Sequence, residues 1–276
     1  MPLTRRALLA LCSLAIAAGL SGHAQVPKEP FQPEVGQAGK DVIWVPTAQV
    51  MVERMLDMAK VTSRDFVVDL GSGDGRMVIA AGKRGARALG VEFNPDMVDL
   101  SKRNAVMAGV SRRVNFVQGD MFEADFSRAT VLALFLLPDN LRKFSQKFLN
   151  LKPGTRIVTN TFGIEGWEPD ESESMNDEDC QTWCKPLLFV VPARVDGAWR
   201  MSGGALALKQ DFQMLSGTLT SGTVVAPISN ARLRGAEIVF RVGDAEYTGL
   251  VNGNGMKGTL KSGGRESKWN ASRVNR

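Results

Sequence analysis

The chain has 276 residues, 34 of them basic and 29 acidic, and 44% are hydrophobic. A formal charge of +5 is too mild to call for nucleic acid, and the length accommodates one large domain and a small one. The single histidine, His23, lies in the first 24 residues; once these are removed, Ser-His-Asp, Cys-His and histidine–metal chemistries are all excluded.

Residues 1–24 have the order of an export signal: Arg5-Arg6, an apolar stretch over 7–20, and the small-residue site Gly22-His23-Ala24. Fourteen residues rising about 1.5 Å each span roughly 21 Å, short of a hydrocarbon core about 30 Å thick. Cleavage after Ala24 and a periplasmic destination are expected, with no transmembrane span after processing. Thr4-Arg5-Arg6 also resembles the twin-arginine signal of proteins exported folded. Residues 25–40, with Pro27, Pro30 and Pro33, read as an extended linker.

Thr47 then reads as an N-cap, and Val52, Met55, Leu56 and Ala59 follow at helical spacing, predicting a helix to about Lys60. Strands are predicted at 66–70, 86–92, 114–117, 131–137 and 156–161, with helices over 77–83 and 141–149 between them. Asn94-Pro95 is a cap followed by proline at the first helical position, opening a helix to about Ala108. The stretch 131–137 is wholly apolar, as a central parallel strand should be. The alternation predicts a Rossmann-like, doubly wound α/β sheet.

Residues 167–186 break the pattern with seven acidic residues between 168 and 179, and read as a loop or lid. A basic protein tail is one partner for such charge, a solvated face the plain alternative. Cys180 and Cys184 in a helix would hold their Cβ atoms about 5–6 Å apart, whereas a bridge needs about 3.5–4.5 Å. Pro186 and the acidic run favour a loop, and hence a disulfide. Beyond Leu187 glycine punctuates short strands, as in Leu215-Ser216-Gly217 and Met256-Lys257-Gly258, with alternating stretches at 205–209 and 238–242. A small antiparallel β-barrel or sandwich domain over 195–276 is expected.

The chemistry centres on Val67-Val68-Asp69-Leu70-Gly71-Ser72-Gly73-Asp74-Gly75, an apolar strand running into a D-x-G-x-G-x-G turn. Glycines there let a bulky ligand lie against backbone N–H groups. Glu92 ends the second strand, where a carboxylate accepts both hydroxyls of a ribose. Asp120 and Met121 end the third, at the expected place of an adenine edge, and Leu136-Leu137-Pro138 ends the fourth, where a reacting methyl would project. All four strand ends share the carboxyl edge of one sheet, where open α/β folds bind ligands. A dinucleotide fingerprint wants glycine or alanine where Arg76 stands, so the pattern favours an adenosyl cofactor.

Asp69 to Arg76, Gly90-Val91-Glu92-Phe93-Asn94-Pro95, Val45-Pro46-Thr47 and Asn160-Thr161-Phe162 with Trp167 together resemble class I methyltransferases. The likeness is to the mitochondrial and prokaryotic lysine methyltransferases related to the enzyme that modifies the c subunit of ATP synthase, and it covers roughly residues 41–169. It implies S-adenosyl-L-methionine held by Asp69, Gly71, Gly73, Glu92 and Asp120, in a methyltransferase domain over 41–194, with a protein lysine or a small molecule as acceptor. In-line transfer relies on positioning in a dry site. An amine nucleophile must lose a proton, and Asp139 or carbonyls near Leu137 are candidates to orient it, although an Asp in this position is also an ordinary helix cap. Trp44 and Trp167 either line the pocket or cover the sheet edge. The rival expectation is a non-catalytic exported binding protein that uses both domains to hold a ligand or envelope component.

Overall fold

The computed structural model describes residues 31–175 and 178–274; the expected signal and the start of the linker lie outside the described residues. Helix α1 (Gln49–Met58) buries Val52, Met55 and Leu56 completely, as their spacing predicts. Thr47 is not its cap: Ala48 takes that position without a side-chain bond, and the Thr47 carbonyl instead accepts from Arg76 Nη1 at 2.7 Å.

Strands and helices then alternate: β1 (Phe66–Leu70), α2 (Arg76–Lys83), β2 (Arg87–Glu92), α3 (Pro95–Met107), β3 (Val114–Gln118), β4 (Val131–Leu134), α4 (Pro138–Leu149) and β5 (Arg156–Asn160). Asn94 caps α3, its side chain accepting from Asp96 N at 2.9 Å, a contact worth about 1 kcal/mol. Two short strands, β6 (Glu171–Ser172) and β7 (Pro186–Val190), complete a sheet of order β3-β2-β1-β4-β5-β7-β6. The first five strands run parallel and β7 is antiparallel to β5. α1, α2 and α3 pack on one face, and α4 on the other through Leu141, Phe144 and Phe148, each fully buried. This is the doubly wound sheet expected. The strand order reverses between β1 and β4, which run parallel, and this opens a crevice at their carboxyl ends. β4 stops at Leu134, earlier than predicted, and α4 starts at Pro138 instead of Leu141.

Nine further strands follow: β8 (Gly197–Met201), β9 (Gly204–Asp211), β10 (Met214–Ser221), β11 (Val224–Pro227), β12 (Ser229–Arg234), β13 (Glu237–Val242), β14 (Ala245–Asn252), β15 (Gly255–Ser262) and β16 (Arg265–Arg273). β11 and β12 both pair with β10 and act as one bent strand, broken near Asn230 at φ +48°. Neighbours pair antiparallel in chain order and β16 returns to β8, so eight strands close into a barrel. Of the two architectures the sequence allowed, closure selects the barrel, which leaves no open edge. Its interior holds Trp199, Phe240, Tyr247 and Trp269, with Phe240 stacked on Tyr247 at 4.6 Å. Glycine is required where strands crowd: a Cβ on Gly258 would collide with the Thr248 carbonyl oxygen.

The barrel docks on the β7 side of the sheet. Trp167 is buried between Phe189 and Phe212, 5.5 and 5.3 Å away, which resolves one tryptophan: it covers the sheet edge. Gln213 Nε2 donates to the Glu168 carbonyl at 2.6 Å, and Arg232 pairs with Asp170 at 2.8 Å. Glu171 pairs with Arg234 and Glu173 with Arg54. Three residues of the acidic segment are thus engaged by the chain's own arginines, fastening the segment instead of leaving it as a free charged arm.

Candidate active site

The turn between β1 and α2 is stitched into the sheet. Gly71 N and Ser72 N both donate to the Val91 carbonyl, at 2.8 and 3.0 Å; Gly73 N donates to Glu92 Oε2 at 3.0 Å, and Gly75 N to the Ser72 carbonyl at 2.9 Å. These amides are therefore spent on the turn itself, against the expectation that they face a ligand. What the glycines provide is bare surface. Gly73 stands at φ +55°, and a Cβ there would meet Trp44 Nε1 at 2.7 Å. Gly75 caps α2 at φ +85°, packed on Phe116 and Ser101, and supports the turn from behind.

Above this turn lies a crevice lined by Asp69, Gly71, Ser72, Gly73, Asp74, Glu92, Phe135 and Leu136 among others. A small second lobe continues over Gly71 and Glu92 to Asp120 and Met121. The sheet thus brings Asp69, Gly71, Ser72, Gly73, Asp74 and Glu92 to the crevice, and Asp120 and Met121 to an adjoining hollow that shares Gly71 and Glu92 with it. It does not bring Leu137 or Asp139 there. Leu137 is half exposed at the start of α4, and its carbonyl accepts from Asn140 N and Leu141 N. Asp139 faces solvent in the first turn of α4 and pairs with Arg142 at 2.9 Å; neither residue lines the crevice, because β4 ends three residues early and Leu136 takes the wall position.

Three carboxylates give the crevice its electrostatics. Glu92 is fixed by the Gly73 amide on one oxygen and the Asn94 amide, at 2.9 Å, on the other, so each oxygen keeps a lone pair for a further donor. Asp74 holds Arg76 Nε at 3.0 Å, tying the turn to the segment before α1. Asp69 accepts no side-chain hydrogen bond from any described residue; burial first, then the negative charges of Glu92 and Asp74, push its carboxyl up to about 8. Ser72 Oγ is buried without a partner among the described residues. Unpaired acceptors beside an orphaned hydroxyl suit a polar ligand carrying positive charge.

The roof is the part that sequence reasoning missed. Residues 36–44, read partly as linker, fold into a tight hairpin: Gly36 N donates to the Trp44 carbonyl at 2.9 Å, Trp44 N to the Gln37 carbonyl at 3.0 Å, and Ala38 bridges Ile43. Val42 and Trp44 line the main crevice, and Lys40 closes the small lobe by pairing with Asp120 while lying 5.4 Å over the Phe93 ring. Lys40 holds the Asp120 carboxyl below the usual range. Trp44 is accordingly a pocket residue. Among the described residues no cluster could hold a metal ion, and no helix is long and apolar enough to cross a membrane.

Residues 69–171 match the family model of the ANTKMT methyltransferase domain. A protein-lysine N-methyltransferase of Saccharolobus islandicus (strain REY15A) is 42% identical over 139 residues, 49% of this chain and 86% of that protein. The Xenopus laevis lysine N-methyltransferase named for the c subunit of ATP synthase is 34% identical over 128 residues, 46% of this chain but only 56% of that protein. The chain thus spans little more than half of that vertebrate relative. The crystal structure of an RNA methyltransferase from Salinibacter ruber, in complex with S-adenosyl-L-homocysteine, is similar at 42% identity and a TM-score of 0.51, over 55% of this chain and 96% of that one.

Proposed function

This chain belongs to the class I S-adenosylmethionine-dependent methyltransferases related to the lysine methyltransferases of the ATP synthase c ring protein, and from that premise we propose that it methylates lysine in proteins of the cell envelope. When bound, S-adenosyl-L-methionine supplies an electrophilic methyl group on a positively charged sulfur. Asp69, once ionised beside the bound cation, would offer it negative charge, Asp74 being already paired with Arg76, and Glu92 would accept the ribose hydroxyls. Asp120 and Met121 flank the adenine, and the bare turn at Gly71, Ser72 and Gly73 lets it approach the backbone. The observation that carries this assignment is Asp69, a buried carboxyl without a hydrogen-bond partner among the described residues, in a crevice where Ser72 Oγ also has none.

Lysine as acceptor is supported by the relatives named as lysine methyltransferases. Catalysis rests on positioning and water exclusion, since the solvent-facing, ion-paired Asp139 offers no base to the crevice. Export is supported by the composition of residues 1–24 and by the Cys180–Cys184 disulfide, a bond that persists in oxidising compartments. The test is methyl transfer from tritiated cofactor into envelope extract, followed by complete acid hydrolysis. Radioactive methyl-lysine is expected. Label confined to RNA or to small molecules would overturn the lysine assignment, and cofactor bound without any labelled product would revive the binding-protein alternative.

A further inference from the structure

Phe135 lines the cofactor crevice and also belongs to a second group of rings. It lies nearly parallel to Phe162, with centroids 6.2 Å apart at 11°, and 6.0 Å from Trp183 at 54°. The three rings come from the turn after β4, the turn after β5 and the disulfide loop before β7. Two non-glycine residues in this wall adopt positive φ, Thr161 at +61° and Trp183 at +56°. For a β-branched threonine that is a costly conformation, and such strain persists only where its surroundings enforce it. Here they do: Thr161 N donates to the Lys185 carbonyl at 2.7 Å, Thr159 Oγ1 to the Phe162 carbonyl at 2.7 Å, and Met175 N to the Cys184 carbonyl at 2.9 Å. The Cys180–Cys184 bond closes the loop around Trp183, a residue left 44% exposed.

Phe66, Phe93, Phe122 and Trp199 each carry one of the chain's own cations within about 6 Å of the ring. Among the described residues no cation lies over Phe135, Phe162 or Trp183. Phe135 borders the cofactor crevice and links the other two rings to it, and an ammonium on an aliphatic stem is the group that complements their negative faces.

We propose that Phe135, Phe162 and Trp183 form the seat of the acceptor lysine, and that the Cys180–Cys184 bond holds Trp183 in it. The rings pack on the four-carbon stem and receive the ammonium on arrival and the methylated ammonium on departure. Between the two, the amine gives its proton to solvent; its lone pair forms the new N–C bond as the C–S bond breaks, leaving a neutral thioether. The proposal rests on the lysine reading above, and binding, which needs no turnover, is read first.

The full-length protein, saturated with S-adenosyl-L-homocysteine, is titrated with Nα-acetyl-lysine methylamide and with the uncharged norleucine analogue, both followed by NMR. The lysine amide binds, and the norleucine amide binds more weakly. Trp183→Ala and the double variant Cys180→Ser/Cys184→Ser each weaken the lysine amide by about five- to tenfold, while Trp183→Phe costs about twofold. Affinity for S-adenosyl-L-homocysteine, which reports an intact fold, stays within about twofold throughout. Equal binding of both amides, no binding of the lysine amide, or indifference to Trp183→Ala overturns the seat. Trp183-dependent binding with no methyl-lysine in extracts would sink the acceptor reading alone, and methyl-lysine formed unchanged by Trp183→Ala would sink the seat alone.

Discussion

At Asp69, burial and neighbouring charge act in the same direction. An unfolded aspartate titrates near 3.8 and this one at about 8, so the folded protein holds an extra proton between those values. The resulting contribution to stability is complete below the unfolded value and is lost as pH rises through about 8. The thermal midpoint of the free protein is therefore expected to fall between pH 6 and 9, and to fall less in Asp69→Asn; identical slopes would remove Asp69 from the account. A cationic cofactor reverses the preference and favours the ionised carboxyl. Binding of S-adenosyl-L-methionine at pH 7 should release up to about one proton, and almost none above pH 9. Calorimetry in buffers of different ionisation enthalpy reads that number directly.

The hairpin over residues 36–44 is the element that the cofactor must pass. Its hold on the body of the protein includes the Lys40–Asp120 pair and the packing of Trp44 against the glycine turn. An ion pair open to solvent contributes little in water, so the ring contact is the stronger latch. Trp44→Ala is expected to speed release of S-adenosyl-L-homocysteine by about tenfold in stopped-flow, and Lys40→Ala by about threefold, with smaller effects in high salt for the lysine variant only. Unchanged release in both would mean that the hairpin is ornament. Nothing in its sequence announces it, since it is held by backbone bonds and two tight turns and carries no repeating apolar pattern. The regular elements were legible for the opposite reason: α1 and α3 show helical spacing or a cap, β1 opens on the apolar run Phe66-Val67-Val68, and β4 is apolar throughout. β7 was missed because Pro186 opens it and its apolar run adjoins the glycine-punctuated tail. The glycine turn, Glu92 and Asp120 could be located from strand ends alone. Leu136 was within reach in the same way, as part of Leu136-Leu137-Pro138, whereas Phe135 was not, because the predicted strand ran past the point where β4 stops.

Across the whole molecule, the barrel and the sheet share a junction too well packed to open separately. Gly235, at φ +61°, lies against Gly154, where a Cβ would come within 3.0 Å of the backbone. The Ala193 amide donates to the Gly235 carbonyl at 2.7 Å across the same junction. Gly235→Val should cost about 2–4 kcal/mol through strain and overpacking, and lower the urea midpoint. Far-ultraviolet circular dichroism and tryptophan fluorescence should shift together; two separate transitions would show that the halves unfold independently. Trp167, Phe189 and Phe212 interleave across this seam, so neither half alone has a finished exterior. Severing the chain after β7 would bare an oily strip on each fragment, and the hairpin tips at the barrel rim are the safer places for inserted peptides or fluorescent labels.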